Sequence, residues 1–312
     1  MAGIRLADGT LLDATVEGAG PAILIPVDPI PVEGDRADEL RRWGVDPALG
    51  RRLIDGLRDR FRVVAFDYEG HLAAHPRPDT LTPMTITDDF LAIADAAGAD
   101  RFAYYGYSWL ALAGLQLALR TDRVSALVMG GYPPLDGPYE EMLAVTTAGH
   151  DQAIAAEARR AAGEGAGETP GETPGETPGE TATPWGDSAD GDWADWDPAD
   201  FDWSSVEITL TEEQTRQYLT LYRELQGFDD RAIQERLTMP RLCFAGSEDT
   251  IDYGENWGDV RVDLAGPLVR EGSTLTRLGW QVAVLEGLDH TGAMQPDAVL
   301  PVIRPFLSSA LL

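Results

Sequence analysis

The chain has 312 residues, 44% of them hydrophobic, a length that suits an α/β domain carrying an insertion. Its formal net charge of −29 argues against nucleic acid or anionic membrane as a partner, and its one cysteine, Cys243, excludes an intramolecular disulfide framework. All 24 basic residues are arginine, which excludes a catalytic lysine, a Schiff base and a lysine-dependent phosphate loop.

The opening MAGIRLADGT has no basic region followed by an apolar one, so no secretory signal is expected there. No apolar run reaches the ~18 residues of a membrane span. The expectation is a cytoplasmic protein.

IRLADGTLLDATVEG reads as a hairpin around Asp8-Gly9, and PAILIP as a short buried strand. Residues 34–60 are charged and irregular until RRLIDGLRDR, which has helical periodicity. Alternation then sets in. FRVVAFD is a strand, and TPMTITDDFLAIADAAGAD a helix with its start signal at Thr85 or Thr87. RFAYYG, SWLALAGLQLALRT and VSALVMGG follow as strand, helix and strand. Such alternation with apolar strands predicts an α/β fold: a mostly parallel central sheet with helices on both faces.

The pattern breaks after Pro133 and resumes at RLCFAG; QVAVLEG and a helix from about Pro296 to Leu311 complete it. The predicted organisation is a core in two parts, 1–138 and 239–312, with an inserted cap at 139–238. The cap contains GETPGETPGETPGET, a four-residue tandem repeat. Glycine, proline and like charge at every repeat cannot bury a core, so disorder is expected over 163–183. WGDSADGDWADWDPADFDW follows, with four tryptophans and a phenylalanine among aspartates. Its spacing is not that of a calcium loop. It is expected to pack peripherally, with a pocket-facing or partner-docking role as the alternative. TEEQTRQYLTLYRELQGF is a helix capped by Thr211. Its apolar face, Tyr218, Leu221, Tyr222 and Leu225, suits a lid over a pocket.

YYGYSWLA places Ser108 two residues after Gly106, between a strand and a helix. A serine hydroxyl is a weak nucleophile unless it has a base, a group that orients the base, and donors for the oxyanion. A strand-to-helix turn offers free N–H groups of the kind such an oxyanion needs. Serine is also a common helix N-cap, so this stretch alone leaves both readings open.

In context the chain resembles the α/β-hydrolase family. YYGYSWLA is similar to its nucleophile elbow, G-x-S-x-G, with Leu110 in place of the last small residue. CFAGSEDTI resembles the acid loop and points to Asp249, with Glu248, Asp252 and Asp136 as rivals. LEGLDHTGAMQPDAVLPVIRPFL resembles the histidine loop and points to His290, one of four histidines. FDYEGHLAAHPRP resembles the family's D-x-x-G-x-G-x-S segment, matching at Asp67 and Gly70 and departing at Leu72 and Ala74. The resemblance covers about residues 4–135 and 241–311.

It implies a capped serine hydrolase of small-molecule esters, lactones or related acyl bonds. Ser108 would be the nucleophile, His290 the base and Asp249 its orienting acid. The oxyanion donors would be the N–H groups of Trp109 and of Asp28 or Val27. LIPVDPIPV stands where the family has His-Gly-x-Pro, and Pro26 and Pro29 have no N–H to give. No cofactor or metal is implied. Trp109 after the serine resembles proline iminopeptidases and some C–C bond hydrolases. The unusual oxyanion loop suggests the other alternative, a ligand-binding protein with little turnover.

Overall fold

A computed structural model describes residues 3–162 and 210–312; the GETP repeat and the tryptophan-rich stretch lie outside the described residues. The chain opens with β1 (Ile4–Arg5) and β2 (Leu11–Leu12), antiparallel across Asp8-Gly9, where Gly9 takes φ 88°. There follow β3 (Thr15–Glu17), β4 (Ala22–Ile25), α1 (Asp35–Arg42), α2 (Leu49–Leu57), β5 (Arg62–Ala65), α3 (Tyr68–Ala74) and α4 (Pro83–Ala96). Next come β6 (Phe102–Tyr107), α5 (Trp109–Arg120), β7 (Val124–Gly130), α6 (Tyr139–Ala161) and α7 (Glu212–Glu224). The last part holds β8 (Arg241–Gly246), β9 (Thr250–Asp252), β10 (Arg261–Asp263), α8 (Ala265–Arg277), β11 (Trp280–Leu285), α9 (His290–Ala293) and α10 (Pro296–Leu311).

Seven strands form one sheet in the order β11-β8-β7-β6-β4-β5-β3, all parallel except β3, which runs antiparallel to β5. Period-two alternation sends side chains to two layers. Ile23, Ile25, Val63, Ala65, Ala103 and Tyr105 pack with α2 and α10, through Leu53, Ile54, Leu57, Val299, Ile303 and Leu307. Leu24, Val64, Phe102 and Tyr104 face the opposite layer, with Ile86 and Phe90 of α4, Leu115 of α5 and Leu268 of α8. Both faces are covered, as a parallel sheet requires. This is the α/β-hydrolase fold.

Three local readings change. Residues 35–42 are helical rather than irregular. They bury only Ala37, so no apolar period betrays them, but Asp35 and Asp38 in the first turn and Arg41 and Arg42 in the last suit the helix dipole. Helix α4 begins a turn before the expected start. Thr82 is the cap, Pro83 occupies the first turn, and Thr85 answers Thr82 in a reciprocal capping box. Helix α8 was hidden by its two glycines and a proline; Asp263 Oδ1 accepts the Gly266 N–H at its start.

Between β7 and β8, α6 packs against α7, and Leu221, Tyr222 and Leu225 join the core cluster of the α4–α5 layer. Thr211 caps α7 as expected, with Gln214 completing the box. Polar side chains fasten α7 to the last turn of α3 and the segment after it: Gln217 donates to Leu72 O, Gln214 to Ala73 O and Thr220 to Pro78 O. Among the described residues no helix is long and apolar enough to cross a membrane.

Candidate active site

Ser108 follows β6 and precedes α5, with φ 55° and ψ −135°. That backbone is rare for any residue with a Cβ. A helix-capping serine has extended dihedrals and accepts an N–H of the first turn. Ser108 has neither; its side chain makes no capping bond. Its N–H donates to Gly130 O at 2.8 Å, which fixes the turn on β7.

Gly106 explains why the turn can be this tight. A Cβ there would lie 2.3 Å from Leu110 O and 2.8 Å from the Tyr104 ring. Leu110 therefore meets the strand with its backbone, while its side chain is buried in the core. Its carbonyl accepts the Tyr104 hydroxyl at 2.8 Å. Gly114, one turn on, makes room for the same ring. Leucine at position 110 is thus accommodated without opening the turn. Gly106→Ala is expected to cost about 3 kcal/mol of folding stability, measured by urea denaturation, because backbone and ring must both move.

Asp249 follows β8 and is fully buried, and His290 begins α9 after β11. His290 Nδ1 lies 2.9 Å from Asp249 Oδ1. An ionised carboxylate only accepts, so in the neutral imidazole this contact places the proton on Nδ1 and leaves the lone pair on Nε2. Among the described residues Asp249 Oδ2 has no hydrogen-bond partner, and His290 is the carboxylate's one side-chain contact of this kind. The rival Asp136 takes a left-handed backbone and pairs with Arg231 at 2.9 Å. Of the other histidines, His71 contacts Thr10 and stacks on His75, and His150 contacts Thr215.

Strands β6, β7, β8 and β11 are parallel neighbours, so their following loops gather at one edge of the sheet. Backbone hydrogen bonds step from loop to loop. Ser108 N–H reaches Gly130 O, Gly131 N–H reaches Phe244 O, and Ser247 N–H reaches Leu285 O. Glu248 N–H reaches Leu288 O. That last approach needs Gly246, where a Cβ would lie 1.9 Å from the Leu288 carbonyl.

The residue between Gly106 and Ser108 adds a contact that sequence reading missed. The Tyr107 hydroxyl donates to His290 O at 2.7 Å, and the two rings lie 5.0 Å apart. Burial, reinforced by the carboxylates of Asp249 and Asp289, pushes the phenol well above its usual range, so it stays a donor. Tyr107→Phe should lower turnover about fivefold through the lost anchor of the histidine loop, a loss of about 1 kcal/mol read in kcat.

In the loop after β4, the Val27 N–H is spent on Ile25 O. The Asp28 side chain turns onto the chain beyond Pro29, where Oδ1 accepts the Ile30 N–H at 2.8 Å. Among the described residues no hydrogen bond engages the backbone N–H of Asp28 or of Trp109. The loop is held from behind by α2: Gly50 packs on the Asp28 carbonyl, where a Cβ would lie 1.9 Å away. Neither Gly50 nor Tyr107 carried a signal in the chain, because each acts through a contact with a distant backbone carbonyl.

Asp67 caps α3 by accepting the Gly70 N–H. Two residues on, Glu69 Oε1 accepts the Trp109 indole N–H at 2.6 Å. Burial raises the Glu69 carboxyl above its usual range, the indole hydrogen bond opposes this, and Asp67 adds to it. Among the described residues no group of three or more His, Cys, Asp or Glu is placed to hold a metal ion.

The family model of the alpha/beta hydrolase fold matches residues 44–147. With the sheet order and loop positions above, this match agrees on the α/β-hydrolase fold. The chain is 40% identical over 75 residues to a protein described as putative carbamate hydrolase RutD of Klebsiella pneumoniae. That stretch is 23% of this chain and 28% of the relative, so the chain spans well under a third of that relative's length. Solved structures of similar fold include an enol-lactonase from Burkholderia xenovorans, 16% identical, with TM-score 0.53 over 96% of this chain and 98% of that one. A thermophilic esterase from Thermogutta terrifontis is also 16% identical, with TM-score 0.53 over 100% and 98% of the two chains.

Proposed function

We propose that the protein is a serine hydrolase of a small-molecule ester, lactone or related acyl bond, working through Ser108, His290 and Asp249. The observation that carries this reading is the left-handed, uncapped Ser108 at the same sheet edge as the His290–Asp249 pair. The similarity in fold to an enol-lactonase and an esterase is consistent with acyl chemistry.

In this reading Ser108 Oγ bonds to the substrate carbonyl carbon as its proton passes to His290 Nε2. The oxyanion is met by the N–H groups of Trp109 and Asp28. The carbon–oxygen bond to the leaving group then breaks, and the leaving oxygen takes the proton from Nε2. Water attacks the acyl-enzyme and gives a proton to His290; the acid departs and Oγ regains that proton. Asp249 stays ionised and holds the imidazole in its tautomer.

The test is labelling with a serine-directed fluorophosphonate, followed by a panel of p-nitrophenyl esters of increasing acyl length. Rapid labelling at Ser108 with ester turnover is the expected result. An unlabelled Ser108 in folded protein would favour the second reading, a ligand-binding protein with little turnover. One observation speaks for that reading: Ser108 Oγ makes no hydrogen bond among the described residues, His290 included. Catalytic hydrogen bonds often tighten only with substrate bound, so the hydrolase reading stands first.

A further inference from the structure

We infer that Glu69 selects substrates carrying a cationic group, an ammonium or quaternary ammonium, close to the bond that is cleaved. This rests on the proposed reading of the Ser108 site.

Trp109 follows the proposed nucleophile directly, and its indole N–H holds Glu69 Oε1 at 2.6 Å. The carboxylate is therefore fixed to the elbow by a single side chain. Glu69 is exposed to solvent on one side yet hemmed in by protein on the others. Asp67, Tyr104 and Tyr218 all lie near enough to feel its charge.

Its second oxygen is free. Among the described residues Glu69 forms no ion pair, and Oε2 has no hydrogen-bond partner. Other carboxylates of this chain are treated differently. Glu17 is met by Arg51 and Arg58, and Asp89 by Arg77 and the Tyr68 hydroxyl. Among the described residues no arginine meets Glu69, nor its neighbour Asp67, which accepts the Gly70 N–H. The indole meets one oxygen, the other faces solvent, and the Asp67 charge lies nearby. A bound cation would relieve the repulsion between the two carboxylates.

Aromatic rings stand beside the carboxylate. The Tyr218 ring of α7 and the Trp109 indole meet edge to face at 5.5 Å, and Tyr218 lies near enough to feel the Glu69 charge. Ring faces attract ammonium groups and suit quaternary ones, which cannot donate hydrogen bonds. The net charge of −29 favours cationic ligands at longer range and disfavours carboxylate ones.

The test uses full-length protein and two substrate pairs. p-Nitrophenyl 3-aminopropanoate against p-nitrophenyl butanoate places the charge in the acyl group. S-butanoylthiocholine against the S-butanoyl ester of 3,3-dimethylbutanethiol places it in the leaving group. The cationic member of at least one pair is expected to have a kcat/KM about tenfold to a hundredfold higher. Glu69→Gln keeps an oxygen for the Trp109 indole and removes the charge, so that ratio should fall to near one. Glu69→Asp should recover part of it, which a merely structural role would not predict. An unchanged ratio in Glu69→Gln, or no cationic preference in the native chain, overturns the inference. If no ester turns over, thermal stabilisation by butyltrimethylammonium in native protein and in Glu69→Gln decides it. Stabilisation of the native chain alone upholds Glu69 while the hydrolase reading falls, and equal shifts in both chains sink the Glu69 inference.

Discussion

Ser108→Gly is expected to abolish ester hydrolysis and to raise the melting temperature in the same molecule. Turnover should fall on the order of a millionfold, because the group that forms the acyl-enzyme is gone. Stability should move the other way because Ser108 sits at φ 55°, ψ −135°, a backbone that glycine adopts freely and a Cβ resists. Strain of this kind costs about 1–3 kcal/mol. Glycine's greater freedom in the unfolded chain takes back up to about 1 kcal/mol. Each kcal/mol left over is worth about 2–4 °C. Ser108→Ala keeps the Cβ, so it should lose the same activity with a melting temperature near that of the native chain. Calorimetry on the three proteins, beside one p-nitrophenyl ester assay, checks both halves. Residual hydrolysis in Ser108→Gly would remove Ser108 from the reaction; a melting temperature no higher than that of Ser108→Ala would remove the strain.

The second large effect is expected at Asp249→Asn. The side chain keeps its size in a fully buried position, so a thermal melt should show a folded protein. The asparagine amide can donate to Nδ1 of His290, which then carries its proton on Nε2 and cannot accept one from Ser108. A loss of about 10⁴ in kcat is expected when the orienting acid is lost in this way. Asp136→Asn is the control. Asp136 is engaged by Arg231 at 2.9 Å, and its loss should leave ester turnover within about twofold of the native rate, against the ~10⁴ above. A large fall in Asp136→Asn, with Asp249→Asn near native, would exchange their roles.

The fold was legible in the chain because its signals are local. PAILIP, FRVVAFD, RFAYYG, VSALVMGG and RLCFAG are short apolar runs bounded by turns, and each is a strand of the sheet. The final helix spans Pro296–Leu311 as read from its period. Helix α1 escaped because its stability owes little to an apolar face, and α8 because glycine and proline outvoted its packing. The site was legible only as separate loops. That His290 would meet Asp249 rather than Asp136 depends on which strands neighbour one another, which one chain's periodicity does not contain. The Tyr107 and Glu69 contacts were out of reach for the same reason. One joins residues 183 positions apart, and the other joins residues 40 apart through an indole that read only as the residue after a serine.

The stepwise bonding of loops across β6, β7, β8 and β11 also bears on time. Parallel strands far apart in the chain cannot pair until the later ones have been made. As a ribosome extends the chain, the turn at Ser108 emerges long before its base. Until β11 docks beside β8, that turn has no imidazole to take its proton. On the proposed chemistry, a partly synthesised chain is therefore inert toward the metabolites around it. Reactivity then arises in one late event, when the sheet closes at its β11 edge.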